Sequence, residues 1–438
     1  MVQMAKEKLT AWSRYPVVKV ETATPRDLES LKKTFENFEQ FVAYGCGRSY
    51  GDAPLGPQVV KTERLRFFSH FDEATGELIA EAGVTLEEII KHFLPRGWFL
   101  PVTPGTKFVT LGGAVAADVH GKNHHRDGSF SRWVTGLKLL MPDGREVFCS
   151  PDQNEELFRA TCGGMGLTGF IFEVRLKLRR VPSSYIRETI IKCRSLEESL
   201  AVFEEHEDAP YSVSWLDCTA SGKEFGRSLL MLGDHFPSGG LHLAKEGSLN
   251  FPLDAPTFTL NPYSIRLFNT LYYSRVRGKV LGRTVLYEEF FYPLDRIQNW
   301  NRLYGKNGFL QYQFVVPKEA GRKAIKEVLH QIRDTGEAPF LSVLKLLGKG
   351  NDYYLSFPME GYILALDFKL TPRLFTLLQL LDEIVHYYGG RIYLAKDARL
   401  SRPYLEQGYP KLKDFIALRE KWGLKGRIES FLSKRLGI

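Results

Sequence analysis

The chain has 438 residues, which exceeds the size at which one hydrophobic core usually stops growing and so favours two domains. Hydrophobic residues make up 44% and charged residues 25% of it, without a low-complexity tract, so the composition excludes a disordered or fibrous protein. The formal net charge of +8 comes from basic residues spread along the chain beside acidic ones, which argues against a dedicated nucleic-acid surface.

Cysteine usage and hydropathy bear on the compartment. The five cysteines are an odd number without a Cys-x-x-Cys pair, which argues against a disulfide framework and a structural zinc site. The N-terminal segment lacks the apolar region of a signal peptide, and no window approaches the roughly 18 apolar residues of a spanning helix. We therefore expect a cytoplasmic protein and leave peripheral membrane contact open.

The first predicted elements are a helix, a strand and a second helix. Apolar residues at helical spacing predict a helix over 24–38 that begins at Thr24-Pro25. The run QFVAYG (40–45) predicts a strand, and the glycine-rich turn GCGRSYG (45–51) follows it directly. A second amphipathic helix is expected from Leu86 to about Leu94.

A hairpin, a helix and a glycine turn come next. Two alternating runs around Pro142-Asp143-Gly144 predict the hairpin. In SPDQNEELFRAT (150–161), Ser150 as N-cap, Pro151 at the first helical position and Gln153 in a capping box predict a helix that starts there. The glycine turn at 162–169 then leads into an alternating strand.

The glycines at 164, 166 and 169 match the spacing of the dinucleotide fingerprint G-x-G-x-x-G. That fingerprint needs a strand before the glycines and a helix N-terminus after them, to receive a pyrophosphate. Here the predicted helix precedes the glycines and the predicted strand follows them. We interpret the segment as a bend between a helix and a strand, which leaves open a close backbone approach to a ligand.

Two other glycine clusters lie where a strand ends, GCGRSYG (45–51) and TLGGAVAADVHG (110–121). Small residues let backbone N–H groups converge on an anion, and Arg48 and Ser49 add a charge and a hydroxyl. HGKNHH (120–125) brings three histidines together, but Lys122 among them would repel a cation. The residues therefore argue against a metal, and for either glycine cluster alone a plain structural turn is favoured over an anion site.

Together these strings resemble the vanillyl-alcohol-oxidase-like (VAO/PCMH-type) FAD-binding flavoproteins, and within them the branch that acts on polyprenylphosphoryl sugars. The likeness covers 45–52, 103–134 and 156–171, and continues in family order through SVSWLDC, GFLQYQFVVP, FLSVLKLLGKGN, LSFPMEGYILALDF and GGRIYLAKDAR. The resemblance implies an α+β, two-domain fold with an α+β substrate-binding (cap) domain built on an antiparallel sheet. It places the FAD-binding domain in 1–182 and 391–438, and the substrate-binding domain in 183–390.

The resemblance also implies which residues hold FAD. The turn at 45–51 would wrap the pyrophosphate, the second cluster would close the other side, and Ile171 and Tyr393 would cover the flavin. The cofactor-binding residues so implied are Gly45, Gly47, Arg48, Ser49, Tyr50, Gly51, Gly105, Thr106, Thr110, Leu111, Gly112, Gly113, Ala117, Asp118, His120, Gly121, Ile171 and Tyr393. Related sugar oxidases often carry a flavin-linked histidine in the first turn. Arg48 stands there in this chain, so we predict non-covalent FAD.

The activity implied is oxidation of the 2'-hydroxyl of a polyprenylphosphoryl ribose to a 2'-keto intermediate, the first half of an epimerisation to the arabinose form. An NAD(P)H-dependent short-chain reductase would be the partner that completes it. Lys396 is the candidate catalytic residue, because a partly desolvated lysine has a pKa low enough to orient or deprotonate a hydroxyl. Its alternative is a solvated lysine paired with Asp397. The substrate-binding residues implied are Trp215, Gln311, Gln313, Lys345 and Lys396.

One departure from the family and two other functions bear on this assignment. Ile363 and Ala365 stand where mycobacterial members have an asparagine and a cysteine, which makes the predicted pocket wall more apolar. The alternatives are an aldonolactone or alditol oxidase of the same fold, and a basic RNA- or lipid-binding protein without redox activity.

The segment 231–284 is expected to contact a membrane. Its first half is rich in Pro, Gly and polar turn formers, which predicts a long mobile excursion with weak order near 235–255. Its second half mixes aromatic residues with arginines, a composition that suits an interface with anionic lipid. An ordinary helix packed by its aromatic face is the alternative.

Overall fold

The computed structural model describes residues 3–245, 249–256 and 258–438. Three sheets carry the architecture of this part of the chain. A four-stranded sheet is built from residues 3–61, a five-stranded sheet from 68–177 and an eight-stranded sheet from 185–392.

The four-stranded sheet has the strand order β1-β2-β4-β3. Its strands are β1 (Gln3–Thr10), β2 (Val17–Thr24), β3 (Val42–Tyr44) and β4 (Gln58–Lys61). Helix α1 (Leu28–Asn37) connects β2 to β3, and its N-cap is Asp27, whose carboxylate accepts the Ser30 N–H at 2.8 Å. The predicted helix start at Thr24-Pro25 is therefore wrong, because Thr24 still pairs in β2.

The five-stranded sheet is antiparallel, in the order β5-β6-β10-β8-β9. Its strands are β5 (Phe68–Asp72), β6 (Glu77–Glu81), β8 (Val134–Leu140), β9 (Glu146–Cys149) and β10 (Phe170–Lys177), and a separate ladder joins β7 (Trp98–Phe99) to β11 (Arg179–Arg180). The helices of this region are α2 (Leu86–Phe93), α3 (Leu111–Ala116), α4 (His124–Asp127) and α5 (Glu155–Thr161). The predicted hairpin is confirmed as β8 and β9.

Helix α5 begins later than its sequence suggests. Its N-cap is Asn154, in the left-handed conformation with φ 49°, and not Ser150. The Ser150 hydroxyl instead accepts the N–H groups of Asp152 and Gln153 at 3.2 and 3.1 Å, which forms a local turn before the helix. At 162–169 a helix precedes the glycines and β10 follows them, as predicted, which is the reverse of the dinucleotide-binding arrangement.

The eight-stranded sheet is antiparallel throughout, in the order β16-β12-β14-β13-β19-β20-β18-β21. Its strands are β12 (Tyr185–Cys193), β13 (Tyr211–Leu216), β14 (Ser228–His235), β16 (Val280–Leu286), β18 (Phe309–Pro317), β19 (Leu341–Leu347), β20 (Gly361–Lys369) and β21 (Arg391–Ile392). Helices α6 (Leu196–Glu205), α9 (Lys318–Thr335) and α10 (Pro372–Tyr387) pack against its strands. This confirms the predicted α+β class with an antiparallel sheet.

The remaining elements lie at the edges of this sheet and at the C-terminus. They are β15 (Leu249–Asn250), β17 (Ile297–Gln298), α7 (Pro262–Ser274), α8 (Tyr287–Phe291), α11 (Arg402–Gly408), α12 (Leu412–Lys421) and α13 (Phe431–Leu436). The C-terminal segment returns to the N-terminal sheet, where Phe41 bridges to Ile428 and Arg435 pairs with Asp52 at 2.8 Å. The division of the chain at 182/183 and 390/391 stays a prediction.

The irregular part of 231–284 begins at Phe236 and not at Met231, because 231–235 belong to β14. Of the predicted zone of weak order, 246–248 lie outside the described residues, as does 257 further on. Among the residues that the structure describes, no helix combines the length and the apolar character needed to cross a bilayer.

Candidate active site

A cavity of about 980 Å³ lies between the glycine loops of the N-terminal region and one face of the eight-stranded sheet. The chain brings most of the predicted site residues to its wall. The cofactor residues found there are Gly45, Gly47, Arg48, Ser49, Tyr50, Gly105, Thr106, Thr110, Gly112, Gly113, Ala117, His120, Ile171 and Tyr393, and all five predicted substrate residues join them, namely Trp215, Gln311, Gln313, Lys345 and Lys396.

Four predicted cofactor residues lie outside the cavity wall. Leu111 is buried in the core, and the carboxylate of Asp118 accepts hydrogen bonds from the Ser131 N–H at 2.9 Å and from the Ser356 hydroxyl at 2.6 Å. Gly51 and Gly121 pack against neighbouring backbone, at Asp397 and at Thr103 respectively. These residues shape the loops that carry the wall, and their predicted contact with the cofactor stays a prediction.

The first glycine loop presents unpaired backbone donors. The N–H groups of 46–49 donate no hydrogen bond to the described part of the chain. Gly47 has φ +58° and lies under the Tyr44 hydroxyl, where a Cβ atom would come within 2.1 Å of the oxygen. The loop therefore needs glycine at this position to turn its N–H groups toward the cavity.

Arg48 adds a cation to this loop. Its guanidinium lies 4.1 Å above the ring centroid of Trp12, and its Nε is buried without a hydrogen-bond partner in the described structure. Burial lowers the pKa of this group. A buried donor without an acceptor costs free energy, so the position favours a bound anion.

The second glycine cluster closes against the first. Gly45 lies so near Thr110 that a Cβ atom would come within 2.3 Å of its Oγ1, while the same position on Gly105 points into open space. The Tyr393 hydroxyl donates to the Ala117 carbonyl of this cluster at 2.8 Å, and its ring stacks on Phe357 at a centroid distance of 4.5 Å. These contacts fix the Tyr393 ring in the cavity wall.

Lys396 enters the cavity from the turn that follows β21. Its Nζ lies 3.8 Å above the ring centroid of Tyr50. Burial lowers the pKa of the Lys396 ammonium, the buried Asp367 carboxylate opposes that shift, and Lys345 adds to it. Burial in turn raises the pKa of Asp367, whose Oδ1 accepts the amide of Gln311 at 2.5 Å.

Lys396 does not pair with Asp397, as the alternative of a solvated lysine required. The Asp397 carboxylate points to the other side of the turn, where it pairs with Arg435 at 2.8 Å and accepts the N–H groups of Arg399 and Leu400, each at 2.8 Å. Lys396 is thus left to face the cavity.

A neutral histidine lies beside the predicted substrate residues. The Gln313 amide is 3.1 Å from His120 Nε2, and burial together with nearby Lys345 holds the pKa of His120 well below its ordinary value. With the amide donating, Nε2 accepts and Nδ1 carries the proton. Nδ1 is buried and has no partner in the described structure, so it is free to donate to a bound group.

Two further lysines face the cavity. Burial lowers the pKa of Lys345 to about 8, and burial together with Lys345 lowers that of Lys122 to about 7. Lys122 donates to the Phe290 carbonyl, whereas Lys345 forms no ion pair with the described residues. A partly desolvated cation without a counter-ion is unfavourable, so an anion beside Lys345 would be stabilised.

Some of these residues escape sequence reasoning. Asp367 and Ala365 are two residues apart on β20. This spacing is the one signal in the sequence that places both side chains on the cavity face. Glu188 and Arg283, which pair across β12 and β16, carry no such signal. Of the two departures from the family, Ala365 lines the cavity and Ile363 lies outside its wall.

The histidine cluster is not arranged around a metal. His125 Nε2 contacts the Ala209 carbonyl at 2.7 Å, and His120 contacts Gln313. Among the described residues, no group of three or more His, Cys, Asp or Glu side chains is placed to hold a metal ion.

The residues present fit FAD. The unpaired N–H groups of 46–49 and the unpartnered Arg48 Nε suit a pyrophosphate, and His120 Nδ1 is an unsatisfied donor further along the cavity. Residues 18–150 match a family described as an FAD binding domain. The protein is an FAD-dependent oxidoreductase with a fold of the VAO/PCMH type, and FAD is its cofactor.

More specific relatives follow from the whole chain. It is 33% identical to decaprenylphosphoryl-beta-D-ribose oxidase of Mycolicibacterium smegmatis over 99% of its own length and 98% of that protein. It is 32% identical to an uncharacterized protein of Streptomyces coelicolor over 81% of this chain and 100% of that one. The chain belongs to the family of flavoproteins that includes this ribose oxidase. The alternative of a binding protein without redox activity is therefore wrong.

A shorter likeness links the chain to sugar-lactone oxidases. It is 28% identical to a Neurospora crassa protein assigned as a D-arabinono-1,4-lactone oxidase, over 30% of this chain and 24% of that one.

Proposed function

We propose that this enzyme oxidises the 2'-hydroxyl of a polyprenylphosphoryl ribose to the 2'-keto sugar. The observation that carries the proposal is Lys345, a half-buried lysine on the strand next to Asp367 that forms no ion pair within the described part of the chain, in a cavity that also holds Lys396. A sugar that carries a phosphate supplies the missing anion close to the reacting hydroxyl. A neutral sugar would leave Lys345 unpaired.

FAD, when bound, supplies the two-electron oxidising power. The protein holds the sugar against it and moves a proton. We assign Lys396 as the base: in its neutral form the amine accepts the proton of the 2'-hydroxyl as the carbinol carbon is oxidised. Gln311 and Gln313 project from the same face of β18 and orient the hydroxyl groups.

The test is anaerobic mixing with chemically defined substrates. Polyprenylphosphoryl ribose is expected to bleach the flavin absorption, while free alditols and aldonolactones leave it unchanged at equal concentration. Bleaching by the free sugars alone would establish instead the sugar-oxidase alternative, which the likeness to the lactone oxidase supports.

The second half of the proposal is an epimerisation. A 2'-keto sugar that is reduced from the opposite face gives the arabinose form, so we assign an NAD(P)H-dependent short-chain reductase as the partner. Trapping the product with borodeuteride should give a mixture of ribose and arabinose labelled at C2. Unlabelled C2 would contradict oxidation at that position.

Peripheral membrane contact through 231–284 belongs to the same proposal, because a long polyprenyl chain stays in a bilayer. Residues 255–287 contain five basic residues and no carboxylate. Arg266, Arg275 and Arg277 are exposed and form no ion pair within the described part of the chain. On α7, Tyr263, Leu267 and Leu271 follow one another at intervals of four and are 87%, 62% and 64% exposed, which gives one apolar face.

A further inference from the structure

The cavity face of the eight-stranded sheet changes its chemical character from strand to strand. Polar groups lie at one end, apolar groups in the middle and an ion pair at the other edge. In strand order the residues are Gln311 and Gln313 on β18, Asp367 on β20, Lys345 on β19, Val213 and Trp215 on β13, Met231 on β14, Glu188 on β12 and Arg283 on β16.

The register places the apolar side chains beside Lys345. Trp215 is directly opposite Val343 of β19, and Val213 is directly opposite Met231 of β14. Neighbouring strands lie about 4.8 Å apart. The apolar section therefore begins one strand from Lys345 and extends over about 10 Å to Met231.

Helix α7 covers this section. Phe268 and Tyr272 line the cavity from the helix side. The Tyr272 ring lies 4.8 Å from that of Trp215, and Phe268 and Tyr272 stack at 5.8 Å. The result is a passage with mainly aliphatic and aromatic walls on the sheet and on the helix, where the Arg275 guanidinium lies 3.9 Å above the ring centroid of Tyr272.

An ion pair closes the sheet edge of the passage. Glu188 is buried and pairs with Arg283, which also contacts Glu289 at 2.8 Å. An apolar chain gains nothing by crossing a buried ion pair. The open direction is along α7, whose adjacent, solvent-facing side carries the exposed Tyr263, Leu267 and Leu271.

We infer that this passage, walled by Val213, Trp215, Met231, Phe268 and Tyr272, binds the first isoprene units of the substrate. The phosphate lies at Lys345 and the sugar lies over β20 and β18. The inference rests on the proposed lipid-phosphate substrate, and it gives the enzyme a way to select a lipid-linked sugar over a free one. The order of sugar, phosphate and hydrocarbon along the substrate matches the order of groups across the sheet.

The test uses prenyl monophosphates of one, two and three isoprene units, which carry no sugar and cannot be oxidised at a ribose. Their binding to the holoenzyme is measured by calorimetry and by the change in the flavin absorption spectrum. The dissociation constant should fall about tenfold or more from one unit to three, because each added unit buries further apolar surface. In Met231→Gln that fall should be lost, because the amide replaces an apolar wall of similar size.

The control is Met359→Gln, a half-buried methionine outside the cavity wall, which should keep the full dependence on chain length. If Met231→Gln does not retain FAD, Val213→Thr introduces a hydroxyl into the same wall with nearly the same shape. The inference is overturned if the native enzyme binds all three probes equally. It is also overturned if Met231→Gln and Val213→Thr both keep the native dependence on chain length. If the probes bind as expected while polyprenylphosphoryl ribose does not bleach the flavin, the passage stands and the proposed reaction fails.

Discussion

Three effects act on the pKa of Lys396, two that lower it and one that raises it. Burial lowers the pKa of its ammonium, the Asp367 carboxylate favours the charged form, and Lys345 disfavours it. The ring of Tyr50 at 3.8 Å adds an attraction for the cation. The balance leaves an amine that gives up its proton far more readily than an ordinary lysine, which is what a base for a sugar hydroxyl requires.

Lys396→Ala should reduce the rate of flavin reduction by at least about 100-fold, which is the lower range for a general base. Its visible spectrum should stay nearly intact, because the residue acts on the substrate and not on FAD. Stopped-flow absorbance under anaerobic conditions measures both. Lys396→Arg is the matched control for charge, and it should be equally slow, because arginine stays protonated. Near-normal reduction in either variant would remove Lys396 as the base.

Flavin reduction should also depend on pH in a defined direction. Only the deprotonated amine accepts a proton, so the rate is high above the pKa of Lys396 and falls as the pH drops through it. In Asp367→Asn this fall should move to lower pH, because the carboxylate that favours the ammonium form is gone. The pH profile of the reduction rate in both proteins measures the shift. A move to higher pH would contradict the assigned electrostatics.

Arg48→Ala should weaken FAD retention. One charge-assisted hydrogen bond contributes about 1.5–3 kcal/mol, which corresponds to roughly a tenfold or greater rise in the dissociation constant of FAD. The FAD content after dialysis, read from the ratio of absorbance at 450 nm to that at 280 nm, serves as the measurement. The control is Arg26→Ala, because Arg26 is exposed just before helix α1. This variant should keep its FAD. Equal FAD content in the two variants would count against the pyrophosphate position.

At the scale of single elements, α7 has two faces with different partners. Phe268 and Tyr272 turn to the cavity, while Tyr263, Leu267 and Leu271 turn to solvent. The alternative was an ordinary helix packed by its aromatic face. It describes only the side of α7 that carries Ile265 and Tyr273, which are buried. An exposed apolar stripe next to arginines without ion pairs in the described structure supports the proposed contact with a bilayer surface.

The protein should sediment with vesicles that contain phosphatidylglycerol, and binding should weaken as salt rises. Arg266→Gln combined with Arg277→Gln should lower the partition by roughly 30-fold, since each cation contributes about 1 kcal/mol at an anionic surface. Arg26→Gln combined with Arg145→Gln, both exposed elsewhere, is the charge-matched control. Equal binding to neutral vesicles, or no loss in the α7 variant, would contradict the electrostatic contact.

At the scale of the whole molecule, the cavity takes its wall from segments far apart in the chain. The glycine loop at 45–51, the cluster at 110–121, the turn at Lys396 and strands β12, β13, β14, β16, β17, β18, β19 and β20 all reach it. A cofactor held between them stabilises their association by its own binding free energy.

The flavin should be released when the whole protein unfolds. Arg48 stands where covalent relatives have histidine, so acid precipitation is expected to leave the yellow colour in the supernatant, with a clear pellet. Absorbance of the two fractions decides this. Colour that stays with the pellet would establish a covalent link to the flavin. Cys46 would then be the candidate attachment residue, because it also lines the cavity.

Some helix and turn boundaries could be predicted from neighbouring residues in the sequence, and others could not. The α2 helix from Leu86 and the β8–β9 hairpin could be predicted because an amphipathic pattern and a Pro-Asp-Gly turn depend on neighbouring residues. The start of α5 could not be predicted in this way, because Ser150 has the pattern of an N-cap but its hydroxyl closes a local turn, and the helix begins only after Asn154.

The candidate site divides in the same way. The sequence by itself determined the two glycine clusters, Arg48 and the family of the chain, because a tight loop with exposed backbone donors requires small residues and positive φ at specific positions. Only the tertiary structure decided that Lys396 faces Asp367 and not Asp397, and that an apolar passage adjoins Lys345. Both depend on which strands lie side by side in the eight-stranded sheet, and strand order is set by packing between distant segments.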